Sequence, residues 1–191
     1  MGDLPRLAFD SADAFRAWLE ANHAQSPGIW LQVARKGLGV PTVSYDEAIG
    51  AAICYGWIDG QKAPLDDRAW LQRFTPRRRR SRWSAINRER AEQLIESGAM
   101  RLPGLAEVEA ARADGRWEAA YASPRTAAVP DDLRAALDAN PAAREFFGRL
   151  SGANRYAVLY RIAAAKRPQT RAQRIEKYVA MLSRGETIHP N

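Results

Sequence analysis

Cysteine and histidine are nearly missing from this chain, which has one Cys, at 54, and two His, at 23 and 189, in 191 residues. A single cysteine cannot close an internal disulfide, so the sequence is expected to work in a reducing, cytoplasmic setting. Two histidines far apart, with no Cys-x-x-Cys, leave no ligand set for a structural zinc, and neither metal nor cofactor is expected. No Gly-x-Gly-x-x-Gly, no Walker loop and no Gly-x-Ser-x-Gly elbow occurs, which removes the common nucleotide-binding and serine-hydrolase signatures. No apolar run approaches the length that spans a bilayer, so no membrane span is expected, and the first residues pass straight into an amphipathic pattern without the apolar stretch of a secretory leader. Internal repeats and low-complexity tracts are absent as well.

What the chain does have is an ordinary globular balance, 46% apolar and 27% charged, with a net charge of +7. That charge is unevenly placed. Residues 73 to 90 hold eight arginines against one acid, Glu89, a net of +7. Residues 155 to 184 hold eight basic residues against Glu176, again +7, so the remainder carries −7. Segregation of this kind builds a local field that attracts anions.

The periodicity predicts an α+β N-terminal part over 1–122, a linker at 123–130 and a helical region over 131–191. A helix is expected from Phe9 to His23, with Phe15, Trp18 and Leu19 on one face. Ile29 to Lys36 alternates as a strand does, Ile29, Leu31 and Val33 to one side and Trp30, Gln32 and Ala34 to the other. Ser44 and Glu47 have capping-box spacing and open a helix that Gly56 closes. Trp57-Ile58-Asp59 reads as a short extended piece ended by an Asp59-Gly60 turn, and Ala69 to Phe74 as a second strand. The two strands are expected in one small antiparallel sheet with the Ser44–Tyr55 helix packed on it. Helices follow over Ser84–Ser97, from Pro103 to Gly115, and over 131–139, 142–150, 154–165 and 170–183. Cys54 ends an apolar helix, where the macrodipole disfavours a thiolate, and it is read as a core residue.

The chemistry concentrates in 57 to 90. Trp70, Phe74 and Trp83 interleave with arginines there, and Arg77 to Arg82 precede a helix N-terminus. Guanidinium forks suit phosphates and carboxylates, and a helix start favours anions. Trp57, Asp59, Arg73, Arg77, Arg78, Trp83 and Arg88 are the candidate ligand-binding residues, with Asp59 orienting one of the arginines. No catalytic residue is assigned, because no base pairs with a nucleophile. The basic helical hairpin at the C-terminus is a second, weaker anion-binding candidate.

The segments CYGWIDGQ (54–61), RFTPRR (73–78), WSAINRERAEQLI (83–95) and KRPQTRAQRIEKYVAML (166–182) resemble the YdeI/OmpD-associated, bacteriocin-protection family, in order along nearly the whole chain. The resemblance implies tolerance to bacteriocins, a part in stress response and a link to an outer-membrane porin. The lack of a leader argues against direct porin contact. Three readings follow. The first is a protection protein that binds an anionic small molecule or protein partner. The second is a nucleic-acid-binding protein using both basic stretches. The third is an enzyme with an arginine-lined pocket.

Overall fold

A computed structural model describes residues 4–123 and 127–190. The chain divides after Ala120 into two compact units. Of the expected linker, residues 124–126 lie outside the described residues. Before them Ser123 is buried, and its carbonyl accepts a hydrogen bond from the Ala127 N–H at 2.9 Å.

The first unit is α+β. Its elements in order are β1 (Arg6–Ala8), α1 (Ala12–Asn22), β2 (Ile29–Ala34), α2 (Tyr45–Cys54), β3 (Trp57–Pro64), β4 (Ala69–Pro76), α3 (Ala85–Glu96) and α4 (Leu102–Ala113). The strands form one sheet in the order β1-β2-β4-β3. β2 runs antiparallel to β4, as expected; β3 also runs antiparallel to β4, and β1 joins β2 in parallel, so the sheet is mixed. Three residues are too few to show a period, which is why β1 escapes a reading by pattern. The Asp59-Gly60 pair is a second departure. Instead of turning, β3 continues through it to Pro64 with an irregularity between Asp59 and Lys62. A bulge absorbs the turn-prone pair without ending the strand.

Capping fixes where the helices start. Ser44 and Glu47 exchange both bonds of a capping box, which holds the Glu47 carboxyl below its usual range. Ser11 and Ser84 cap α1 and α3 with their hydroxyls. Phe15, Leu19, Ile29, Leu31, Val33, Ile49, Ile53, Trp57 and Phe74 are buried together between sheet and helices. Cys54 belongs to this core, and burial pushes its thiol up. Leu19→Ala would cost about 2–5 kcal/mol by cavity formation. Two glycines let α4 approach α2. A Cβ on Gly104 would stand 2.5 Å from the Cys54 carbonyl oxygen, and Gly56 adopts φ +72° against Pro103.

Among the described residues the second unit contains four helices, α5 (Asp131–Asp138), α6 (Pro141–Arg149), α7 (Gly152–Ala163) and α8 (Pro168–Ser183). Leu133, Leu137, Phe147, Val158, Ile162, Tyr178 and Leu182 close its core. Pro141 and Pro168 stand in the first turns of α6 and α8, where a missing N–H costs nothing. The C-terminal strip is tied back by Asn154, which donates to the His189 carbonyl and accepts from its N–H.

Candidate anion-binding site

β4 ends at Pro76, and the chain reaches the Ser84 cap of α3 through a tight, arginine-rich turn. The Ser81 N–H donates to the Arg78 carbonyl at 2.8 Å, and the Ser81 hydroxyl accepts from the Arg78 N–H at 2.9 Å. Arg79 and Arg80 are therefore the two central residues of a closed β-turn. Arg78, Arg79 and Arg80 are exposed. Among the described residues no carboxylate pairs with any of these three side chains.

Other arginines hold this turn from beneath. Arg77 is 7% exposed, and its guanidinium lies 3.5 Å from the centre of the Trp83 ring. It donates to the Arg82 carbonyl, and its own N–H donates to Gly56. Trp83 meets Trp117 edge-on with centroids 4.9 Å apart, and both indoles are buried. Arg112 stands 5.3 Å over Trp117, Arg88 donates to the Trp117 carbonyl, and Arg116 reaches the Ser81 carbonyl at 2.9 Å while paired with Asp114. Half-buried Glu107 faces the same cluster. Burial raises its carboxyl above the ordinary value, and Arg77 and Arg116 pull it back.

The expected site residues thus separate. Arg77, Trp83 and Arg88 come together as the mount, and Arg78 stands on the exposed turn. Trp57 is elsewhere, 1% exposed, its indole donating to the His23 carbonyl and packed edge-on against Trp18. Asp59 pairs with no arginine among the described residues. It accepts from the Tyr45 hydroxyl at 3.0 Å, and burial together with that carboxylate pushes the phenol well above its usual value. Arg73 lies on β4 opposite Trp30 of β2. Trp117, Arg112 and Arg116 are members that no pattern picks out, although an aromatic preceded by two arginines in 112–117 is an available signal.

The second basic stretch is used differently. Arg171 grips Asp132 with two bonds of 2.5 and 2.9 Å and donates to the Ile162 carbonyl. Arg174 donates to the Arg161 carbonyl. Both acceptors lie at the C-terminal end of α7, whose open carbonyls and negative dipole favour cations. Arg155 stacks over Phe147, and Arg184 pairs with Glu186. Lys166, Arg167 and Lys177 stay exposed. No group of metal-ligating side chains occurs among the described residues, and none of their helices is long and apolar enough to cross a membrane.

Two family models match this chain. Residues 7–107 match a domain of unknown function, DUF8412. Residues 126–185 match the family described as bacteriocin-protection, YdeI or OmpD-associated. The similarity to the latter therefore falls on the helical unit, while the motifs at 54–61, 73–78 and 83–95 lie inside the other match. No curated protein and no solved structure matches the chain.

Proposed function

For a chain that belongs to the DUF8412 family over its first unit and to the YdeI/OmpD-associated, bacteriocin-protection family through its second, we propose that the first unit binds an anionic partner at the turn 78–80. The observation that carries this reading is the contrast between turn and mount. Arg77, Arg112 and Arg116 are spent on rings and carbonyls, and they fix a turn whose own three guanidiniums have no carboxylate partner among the described residues. A rigid mount lowers the ordering cost that long side chains impose on binding. Free guanidinium forks are the group of choice for phosphate and carboxylate oxygens. All three turn side chains are exposed, which suits a partner with several charges better than one small enclosed anion. The protective role in the family's name comes to this chain as the setting in which such binding would act.

The test is calorimetric titration with inorganic tripolyphosphate, on the native protein and on R78A/R79A/R80A. Binding that weakens at least tenfold in the triple variant supports the reading. Unchanged binding with the fold intact removes it.

A further inference from the structure

The first unit's sheet has a second face that the helix-packed core does not use. Ile29, Leu31 and Val33 of β2 point into the core with Phe74 of β4, so the alternate residues point the other way. On that outer side a single cross-strand row runs Arg6 of β1, Trp30 of β2, Arg73 of β4, because Arg6 is registered with Trp30 and Trp30 with Arg73. Arg6 is exposed, and Trp30 and Arg73 are half-buried. Further along the same face Leu71 and Ala69 are buried, so the accessible part is the end that carries Trp30 and Arg73.

Two details make this row more than a decorated strand. The stem of Arg73 lies along Gly60 of β3, where a Cβ would meet its Cβ and Cδ at 3.8 Å, an ordinary van der Waals contact. Its Nε is buried and makes no hydrogen bond, and neither Arg6 nor Arg73 pairs with a carboxylate among the described residues. β4 then runs from Arg73 directly to the exposed turn. Five residues of extended chain carry the row to Arg78 over at most about 17 Å.

We propose that this outer face binds single-stranded nucleic acid, with a base stacked on Trp30, the backbone phosphates on Arg6 and Arg73, and the strand continuing onto Arg78–Arg80. The proposal rests on the anion-binding reading of the turn and names its partner. The charge complementarity is one-sided: Arg6, Arg73, Arg78, Arg79 and Arg80 pair with no carboxylate among the described residues. An aromatic one strand spacing, about 4.8 Å, from an arginine on each side matches the demand of a stacking platform within an electrostatic track. Trp83 and Trp117 cannot serve as that platform, being buried beneath the turn. A duplex would offer its phosphates but no free base face for Trp30, so the row favours a single strand.

The experiment is fluorescence anisotropy of the full chain with a labelled 12-nucleotide oligothymidine, a labelled 12-base-pair duplex, and competition by unlabelled tripolyphosphate. Native protein, W30A, W30F, R73A and R78A/R79A/R80A are compared, each with its circular dichroism checked. We expect the single strand to bind more tightly than the duplex. W30A should weaken it roughly tenfold, a loss typical of one stacked base, with W30F in between and tripolyphosphate competition unaltered by either. R73A should weaken the single strand, and the triple variant should weaken every ligand. If W30A does not fold, W30F carries the comparison, together with photocrosslinking of a 4-thiothymidine oligomer to the native protein, expected on the tryptic peptide containing Trp30. Native-like oligothymidine binding by folded W30A or W30F, equal affinity for duplex and single strand, or crosslinks confined to α7 and α8 would overturn this inference while leaving the turn's anion binding standing. If tripolyphosphate binds the triple variant as it binds the native protein, the turn reading itself fails.

Discussion

Two stretches of this chain carry the same net charge, +7 each, and the fold spends them in opposite ways. In the second, Arg155, Arg161, Arg171 and Arg174 are engaged by a ring, a carboxylate or an α7 carbonyl, and exposed Arg184 pairs with Glu186. In the first, buried arginines prop up exposed ones, with Arg77 on Trp83 and Arg116 on the Ser81 carbonyl beneath the turn of Arg78, Arg79 and Arg80. Charge counted along a sequence therefore says little about charge available to a ligand. An arginine that satisfies a carbonyl at a helix end, as Arg171 and Arg174 do, contributes to stability, and its field is already partly answered. An arginine on a closed turn, with no acid beside it, still has its full valence to offer.

The comparison breaks most visibly at Arg77. Arg77→Ala empties the space over Trp83 and removes the hydrogen bond to the Arg82 carbonyl, and should cost about 3 kcal/mol by loss of packing and of the cation–π contact. Urea denaturation followed by tryptophan emission measures it. Arg171→Ala comes next, with an expected loss of about 1–2 kcal/mol from the partly exposed pair with Asp132 and the α7 carbonyl. R78A/R79A/R80A should move stability by under about 0.5 kcal/mol, since surface changes away from internal partners do little. A large loss there would mean the turn is itself a structural prop.

Two pH effects sharpen the contrast further. The Arg171 hydrogen bond holds the Asp132 carboxyl below its ordinary value, so its contribution is whole above the unfolded pKa and is lost as pH falls through the folded one. Melting of the native protein should drop between pH 5 and pH 3 by more than melting of Arg171→Ala does. Glu107 has the reverse sign. Burial raises its carboxyl, so the folded state holds the proton more tightly than the unfolded chain and ionisation at neutral pH is a cost. Glu107→Gln should raise the melting temperature slightly at pH 7, and the gain should vanish below about pH 4, where the native side chain is neutral in both states.

Much of the fold is legible in the residues themselves. Ser44 with Glu47, the alternation of β2 and the proline-started helices are local signals, and local signals decide element type. What stays hidden is non-local. β1 is three residues long and exists because its register with β2 places Leu7 beside Leu31. Asp59-Gly60 carries turn chemistry, yet pairing with β4 overrides it through a bulge. The arginines of 73–90 are plain in the sequence, but which are buried is decided by Trp117, 34 residues after Trp83. The row of Arg6, Trp30 and Arg73 is a fact of strand register, and no window of the sequence contains it.

The claim that availability and not charge count governs binding is tested by two matched triple variants, R78A/R79A/R80A and K166A/R167A/K177A, each removing three exposed positive charges. Oligothymidine affinity is measured between 50 and 200 mM salt. The turn variant should flatten the plot of log affinity against log salt by about two units, at roughly 0.7 per lost phosphate contact, and the helical variant should leave the slope within half a unit of the native one. A flattened slope in the helical variant with a native slope in the turn variant would contradict that claim.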